Sequence, residues 1–318
     1  MNALLNHQWG ESPAQDRVWA RVTRLALGRA VRRLLMALQF QAFVDGSARP
    51  PDGDIVLAGH IATAEAWAYF AKEWEELLPL ATLAKNGKYH FKMSEMARSE
   101  RGIERTEPFY RLIEKYAVVS ISYRMNLEDF AHAIERVQSP IGIMASLGMS
   151  FALFRFENPF FFMFRCLMDD FHRKGREAIK HVIPLSETVD FIFDDQSEKS
   201  YILAGWDDFV SEKPEEERQL YGATPRFEND QDFLPLQAAD LWAWWVREWY
   251  EEDAFHPPDK MRALDFGKWR GKDRFMYLYA FDEDDIVDAF ESMFVGQAAL
   301  NEARGSIFRL AKPDVSGE

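Results

Sequence analysis

The pattern of hydrophobic and polar positions changes several times along the chain between the helical and the strand period. Residues 16–38 repeat apolar side chains at helical spacing and carry arginines at positions 17, 21 and 24 on a separate stripe. This pattern predicts an amphipathic basic helix. Such a helix packs on the domain or on a second subunit, or else it faces phosphates or a membrane surface.

Beyond this helix, short apolar runs predict strands and longer segments with one apolar stripe predict helices. The first two strands, 39–45 and 55–61, follow each other closely enough to form a hairpin. Charged residues with few apolar anchors predict a loop over 211–232. The other predicted strands are 89–93, 118–123 and 189–194. The other predicted helices are 63–79, 107–116, 127–136, a long helix from 156–164 toward 173–180, 198–210, 234–250 and 284–300.

This order of elements predicts an α/β fold, with a mixed central sheet flanked by helices. We expect three parts in the chain. Residues 1–37 form the N-terminal basic helix, 38–252 form the α/β domain, and 253–318 form a mostly helical extension packed on that domain.

Composition and charge narrow the possible functions. The chain has 318 residues, of which 47% are hydrophobic and 28% charged, as in ordinary globular proteins. Its single cysteine excludes an intrachain disulfide and a thiolate-rich zinc site. A net charge of -14 argues against electrostatic wrapping of nucleic acid, although divalent cations can reverse the sign at a local site. No segment resembles a membrane span or a secretory signal, so we expect a cytoplasmic protein.

Four acidic residues lie where the apolar pattern predicts burial or the end of a strand. Asp45 and Asp194 each end a predicted strand, and Glu95 follows another. Asp240 lies inside the predicted helix 234–250, among residues that must pack inward. Taken singly, each of these residues is more often a cap or turn residue than a ligand. A buried carboxylate nevertheless needs a cation, a hydrogen-bond donor or a proton.

Four motifs that contain these acids occur in a recognisable order. They are QAFVDGS at 41–47, FKMSE at 91–95, FIFDDQS at 191–197 and LPLQAADL at 234–241. Together they resemble the bacterial and phage family catalogued as domain of unknown function 3800, over residues 38–250. That family has a strand ending in Asp-Glu-Ser, a His-Met-Thr-Asp-like segment, a Phe-Asp-Glu/Asn-Gln segment and a Gln-x-Ala-Asp helix.

The resemblance implies a ribonuclease H-like fold with a metal site made of acids. Asp45, Asp194 and Asp240 match the family positions directly, and Glu95 stands where the family usually has Asp. These four residues are the predicted metal-binding and catalytic residues. The residues expected to contact them or a substrate are Ser47, Lys92, Asp195 and Gln237.

Two departures from the family pattern affect the expected charge of this site. Gly46 replaces the family Glu, and Lys92 replaces the family His. We expect both changes to make the site less negative and thereby to lower its affinity for metal. Gln237 precedes Asp240 by one helical turn, and we expect it to orient that carboxylate by a hydrogen bond.

The resemblance and the chemistry of carboxylates together predict a phosphodiesterase that uses Mg²⁺ or Mn²⁺ and acts on nucleic acid. One or two ions held by oxygen ligands would activate a water molecule. Two alternatives stay open: a catalytically impaired binding or regulatory protein, and a metal-dependent hydrolase of small phosphorylated molecules. A Lys92 ammonium paired inside the acids would favour loss of metal, a basic groove would favour the nuclease, and an enclosed pocket would favour the small substrate. We further expect a homo-oligomer formed through the N-terminal helix.

Overall fold

The computed structural model of the protein describes most of the chain. The described residues are 12–22, 39–48, 53–84, 87–146, 158–195, 197, 199–211, 213–252 and 275–293. The predicted helix 16–38 lies only partly within these ranges, because residues 23–38 fall outside them.

Within the described residues, six strands form the central sheet, in the order β7-β6-β1-β2-β5-β8. Only β2 runs against the other five strands, since it pairs antiparallel with both β1 and β5 while the remaining pairs are parallel. A separate hairpin joins β3 to β4. The strands are β1 (Phe40–Ala48), β2 (Asp54–Thr63), β3 (Thr82–Leu83), β4 (Tyr89–His90), β5 (Val119–Asn126), β6 (Val189–Asp194), β7 (Arg226–Glu228) and β8 (Phe275–Phe281). The predicted α/β architecture with a mixed sheet is therefore confirmed.

Helices cover both faces of this sheet. They are α1 (Pro13–Val22), α2 (Ala64–Leu77), α3 (Met93–Met96), α4 (Glu100–Glu104), α5 (Glu107–Tyr116), α6 (Leu127–Ser146), α7 (Pro159–Asp170), α8 (Lys199–Ser211), α9 (Glu215–Arg218), α10 (Leu234–Glu252) and α11 (283–293). A π-helical turn, Phe171–Gly175, continues α7. No helix in the described ranges combines the length and the apolar character needed to cross a membrane.

The alternation of side chains along β1 separates two cores. Ala42 and Val44 point to one face, where α6, α7, α8 and α11 pack. Phe43 points to the other face, where α1, α2, α5 and α10 pack. Both faces of the central strands are therefore shielded from water, which explains why most residues along these strands are apolar.

Helix α1 packs on α2 of the same chain, and Ala14 and Val18 are buried there. Within the described residues, the first part of the predicted N-terminal helix thus packs on the domain. Three other elements differ from the sequence expectation. The predicted strand 89–93 ends at His90, since the chain turns into α3 at Met93. The expected loop 211–232 contains α9 and the edge strand β7, and the extension contains the unpredicted strand β8.

His172 makes the stability of the fold dependent on pH. Its ring is buried in the π-helical turn and stacks on Tyr221, with ring centroids 3.7 Å apart. Burial lowers the pKa of His172 to about 3 from its ordinary value of 6.5. Between these two values the unfolded chain binds a proton that the folded chain does not. The free energy of unfolding should therefore fall as the pH decreases through this window, by up to about 1.4 kcal/mol per pH unit.

Denaturant unfolding at several pH values measures this effect in the wild type and in His172→Phe. We expect the wild type to lose more stability on acidification than the variant. His132→Phe, at an exposed histidine, should behave as the wild type. Equal losses in the wild type and His172→Phe would contradict the prediction.

Gln41 is a destabilising polar residue in β1. Its side chain is fully buried, and neither amide atom has a hydrogen-bond partner among the described residues. A buried polar group without a partner costs about 1–3 kcal/mol, so Gln41→Leu should raise the free energy of unfolding by about that amount. Urea denaturation measures the change. The exposed Gln231→Leu should stay within about 0.5 kcal/mol of the wild type; a loss of stability in Gln41→Leu would refute the explanation.

Candidate functional site

Two of the predicted acids meet at the ends of neighbouring parallel strands. Val44 of β1 pairs with Phe193 of β6, and Asp45 and Asp194 each come one residue later. Both acids point to the face that α10 covers, because Phe43 and Ile192, two residues earlier, lie in the core of that face. Carboxyl ends of parallel strands are the usual place for a site in an α/β sheet.

Asp240 approaches the same place from α10. This helix lies against β1 and β2, so that a side chain on its inner face reaches the strand ends. The backbone N–H of Met93 donates a hydrogen bond of 2.6 Å to Oδ2 of Asp240. Because this N–H belongs to the first residue of α3, the bond also fixes where α3 begins.

The ammonium of Lys92 lies among the carboxylates. Its Nζ is 3.1 Å from Oδ1 of Asp240, 3.4 Å from Oδ2 of Asp230 and 3.6 Å from Oδ2 of Asp45. Lys92 precedes α3 in extended conformation, which directs its side chain away from that helix and into the site. The ammonium therefore pairs with three acids that come from three different segments of the chain.

Asp230 is a site residue that the sequence reasoning missed. It lies inside the segment 211–232, which the charge pattern predicts to be a loop, and it is nevertheless buried. Oδ2 of Asp230 is 3.1 Å from Nε2 of His90, and its carbonyl oxygen accepts a hydrogen bond of 2.9 Å from Nε2 of Gln237. Gln237 in turn accepts a bond from Nε1 of the buried Trp74. The one available signal was its position just before the apolar start of α10.

The surroundings shift the pKa values of the buried acids in opposite directions. Burial and the charge of Asp240 raise the pKa of Asp45 well above its ordinary value. Burial also raises the pKa of Asp240, although Lys92 lowers it in part. At Asp230, the hydrogen bond from His90 and the charge of Lys92 outweigh burial, so that this pKa is lowered. Burial and neighbouring acids therefore disfavour the charged forms of Asp45 and Asp240, whereas Asp230 is stabilised as a carboxylate.

Lys92 is the permanent cation of the site. Burial alone would lower the pKa of its ammonium, but the charges of Asp240, Asp45 and Asp230 outweigh burial and raise it. The hydrogen bond that His90 donates to Asp230 likewise raises the pKa of His90. Lys92 and His90 thus both occupy carboxylate oxygens of the site.

As placed, these residues do not fit a divalent ion. Among the described residues, no three His, Cys, Asp or Glu side chains form a group that could hold a metal. The point on which three carboxylates converge is taken by Nζ, and the separations of 3.1–3.6 Å suit an ion pair. Mg²⁺ requires oxygens at about 2.1 Å.

The other predicted residues have separate contacts. Glu95 lies on α3, and among the described residues its side chain forms no ion pair with Lys92. Ser47 accepts a hydrogen bond of 2.9 Å from Nε of Arg247. Asp195 pairs with Lys199 at the surface, at 2.5 Å. Gln237 holds Trp74 and the backbone of Asp230, whereas we expected it to orient Asp240.

An acidic side chain at position 46, where this chain has glycine, would not join the cluster of carboxylates. A Cβ built at this position would lie 3.3 Å from Leu57 and 3.4 Å from Phe160, on the sheet face opposite to Asp45. The strand alternation therefore sends any side chain at 46 away from the carboxylates. Of the two departures from the family pattern, only Lys92 changes the charge of the site in this structure.

Comparisons with known proteins leave the family open. No family model matches the chain, and no curated protein or solved structure matches it. The resemblance to the domain of unknown function 3800 family therefore stays a prediction from four short motifs.

Asp194 provides a direct test of where the Lys92 ammonium lies. Burial and the charge of Asp230 raise the pKa of Asp194 to about 6, while Lys92 lowers it in part. Lys92→Met removes the lowering charge, so the pKa of Asp194 should rise above its wild-type value. NMR titration of the side-chain carboxyl carbon measures this pKa. Lys180→Met, at a lysine that pairs with Glu177 on the surface, should leave the titration unchanged. A pKa that stays the same in Lys92→Met would place the ammonium elsewhere.

Proposed function

We propose that this chain is a ribonuclease H-like binding or regulatory protein that has lost metal-dependent cleavage of phosphodiesters. One observation supports the loss: the Lys92 ammonium pairs with Asp45, Asp230 and Asp240 at the point where a cation would be expected. A metal ion supplies catalysis because it lowers the pKa of a bound water and keeps open positions for substrate. An ammonium surrounded by carboxylates supplies neither.

The sheet supports the ribonuclease H-like part of this proposal. Strands β1 and β2 form a hairpin, and among the described strands of the sheet β2 alone is antiparallel to the others. Strand β5 pairs with the outer edge of β2. The strand β6 then returns to the first strand in parallel. This arrangement is the one expected of a ribonuclease H-like sheet, and it places Asp45 on the central strand. Nucleic acid is the partner that the resemblance implies.

A second candidate function is the Mg²⁺- or Mn²⁺-dependent nuclease or phosphodiesterase itself. The specific observation in its favour is the excess of acid: burial and neighbouring carboxylates raise the pKa values of Asp45, Asp194 and Asp240. Oδ2 of Asp45 is also buried and accepts no hydrogen bond from any described residue. A site with this charge would be stabilised by a further cation if Lys92 moved out to the solvent.

Calorimetry and cleavage assays decide between the two candidates. We expect Mn²⁺ to give negligible and equal heats with the wild type and with Asp240→Asn. We also expect no cleavage of single- or double-stranded DNA or RNA by the wild type in Mg²⁺ or Mn²⁺. Fluorescence anisotropy with the same oligonucleotides, without metal, measures binding.

The second candidate, the metal-dependent nuclease, predicts different heats and cleavage. A stoichiometric Mn²⁺ heat in the wild type that disappears in Asp240→Asn, together with metal-dependent cleavage, would establish the nuclease and refute the loss of catalysis. Glu215→Gln serves as the matched carboxylate variant. Because Glu215 is exposed and pairs with Arg218 at the surface, the heat and cleavage of this variant should equal those of the wild type.

A further inference from the structure

The carboxylates around Lys92 are buried, unlike ordinary surface acids. Asp45 is 3%, Asp230 8% and Asp240 9% exposed, and they come from β1, from the segment before α10 and from α10 itself. Surface ion pairs are exposed and contribute little to stability. Here three carboxylates lose water together, and a cation among them offsets the cost of that loss.

Each of the three carboxylates is fixed by an independent contact. Oδ1 of Asp45 accepts the N–H of Gly46 at 2.6 Å, and Oδ2 of Asp240 accepts the N–H of Met93 at 2.6 Å. Asp230 is fixed through its carbonyl oxygen, which Gln237 holds. In each case an oxygen remains directed at Nζ of Lys92. The oxygens are therefore prearranged around one point.

A further observation indicates that this point requires a cation. Oδ2 of Asp45 is buried and accepts no hydrogen bond from the described residues, and the charge of the nearby ammonium, 3.6 Å away, compensates its negative charge. Without that charge, the oxygen would remain desolvated and uncompensated, which is costly.

We infer that Asp45, Asp230 and Asp240 form a site for a single ammonium-type cation, which Lys92 fills from within the chain. This inference deepens the proposed function, because it names the cation that replaces the metal and the acids that hold it. Asp230 is the third carboxylate of this site, in place of Glu95. The ligand class is a primary ammonium, whose charge faces oxygens at 3.1–3.6 Å and whose N–H donors lie within hydrogen-bond distance of Asp230 and Asp240.

Chemical rescue of Lys92→Ala tests the inference. The variant leaves a space in which a small primary ammonium can take the place of Nζ. Methylammonium chloride should raise the Tm of Lys92→Ala by several degrees and leave the wild type unchanged at the same ionic strength. Tetramethylammonium chloride is the matched control, because it carries the same charge without N–H donors and should not raise the Tm.

Second variants identify the ligands. Rescue by methylammonium should disappear in Lys92→Ala/Asp230→Asn and persist in Lys92→Ala/Glu95→Gln. Absence of rescue in Lys92→Ala, rescue equal to that by tetramethylammonium, or rescue that survives Asp230→Asn would each overturn the inference.

The inference can also be tested if Lys92→Ala does not fold alone. In that case methylammonium should recover the folding of this variant, and tetramethylammonium should not. A double-mutant cycle with the better-packed Lys92→Met should also show coupling of Lys92 to Asp230 and none to Glu95; equal coupling to both would overturn the inference.

These outcomes do not depend on the proposed function. Metal-dependent cleavage by the wild type would refute the loss of catalysis, whereas only the methylammonium and coupling results decide whether these three acids hold an ammonium. Either proposal can therefore fail while the other stands.

Discussion

The arrangement of the site depends on the repulsion between carboxylates that have lost water. Two charges about 4 Å apart repel by about 4 kcal/mol at an effective dielectric constant of 20, and burial adds a cost for each charge. Asp45, Asp194, Asp230 and Asp240 interact strongly enough to shift one another's pKa values. Positive charge inside such a group, or protonation of some of its carboxyls, relieves this repulsion, and the chain supplies positive charge with Lys92.

The core of the protein determines where this positive charge can be placed. Trp74 is fully buried among aromatic rings of α2 and α5, and its N–H binds Gln237, which holds the backbone of Asp230. The hairpin β3–β4 then brings His90 and Lys92 against the same carboxylate. Asp230 thus joins the aromatic core to the charged site. Although Asp230 lies in a charged segment, its position is fixed because the buried Gln237 side chain holds its backbone.

The functional consequence follows from the difference between an ammonium and a metal ion. Both neutralise acids, but the Lys92 ammonium lies within 3.6 Å of three carboxylates and, unlike a metal ion, has no coordination position at which a water molecule could be activated. The sheet and its acidic centre can therefore persist while the chemistry is lost. His90 strengthens the same outcome, because its hydrogen bond occupies the oxygen of Asp230 that also faces Lys92.

Much of this protein followed from the sequence, since periodicity reports which side chains face a core. It predicted the mixed α/β architecture, strands β1, β2 and β6, and the burial of Asp45 and Asp240. It did not predict β7 and β8, because edge strands are short or half-exposed and lack a distinctive apolar pattern. The partners of Lys92 were decided only by the tertiary structure. Ion pairs among β1, the segment before α10 and α10 depend on distances in space, and local spacing along a chain carries no information about them.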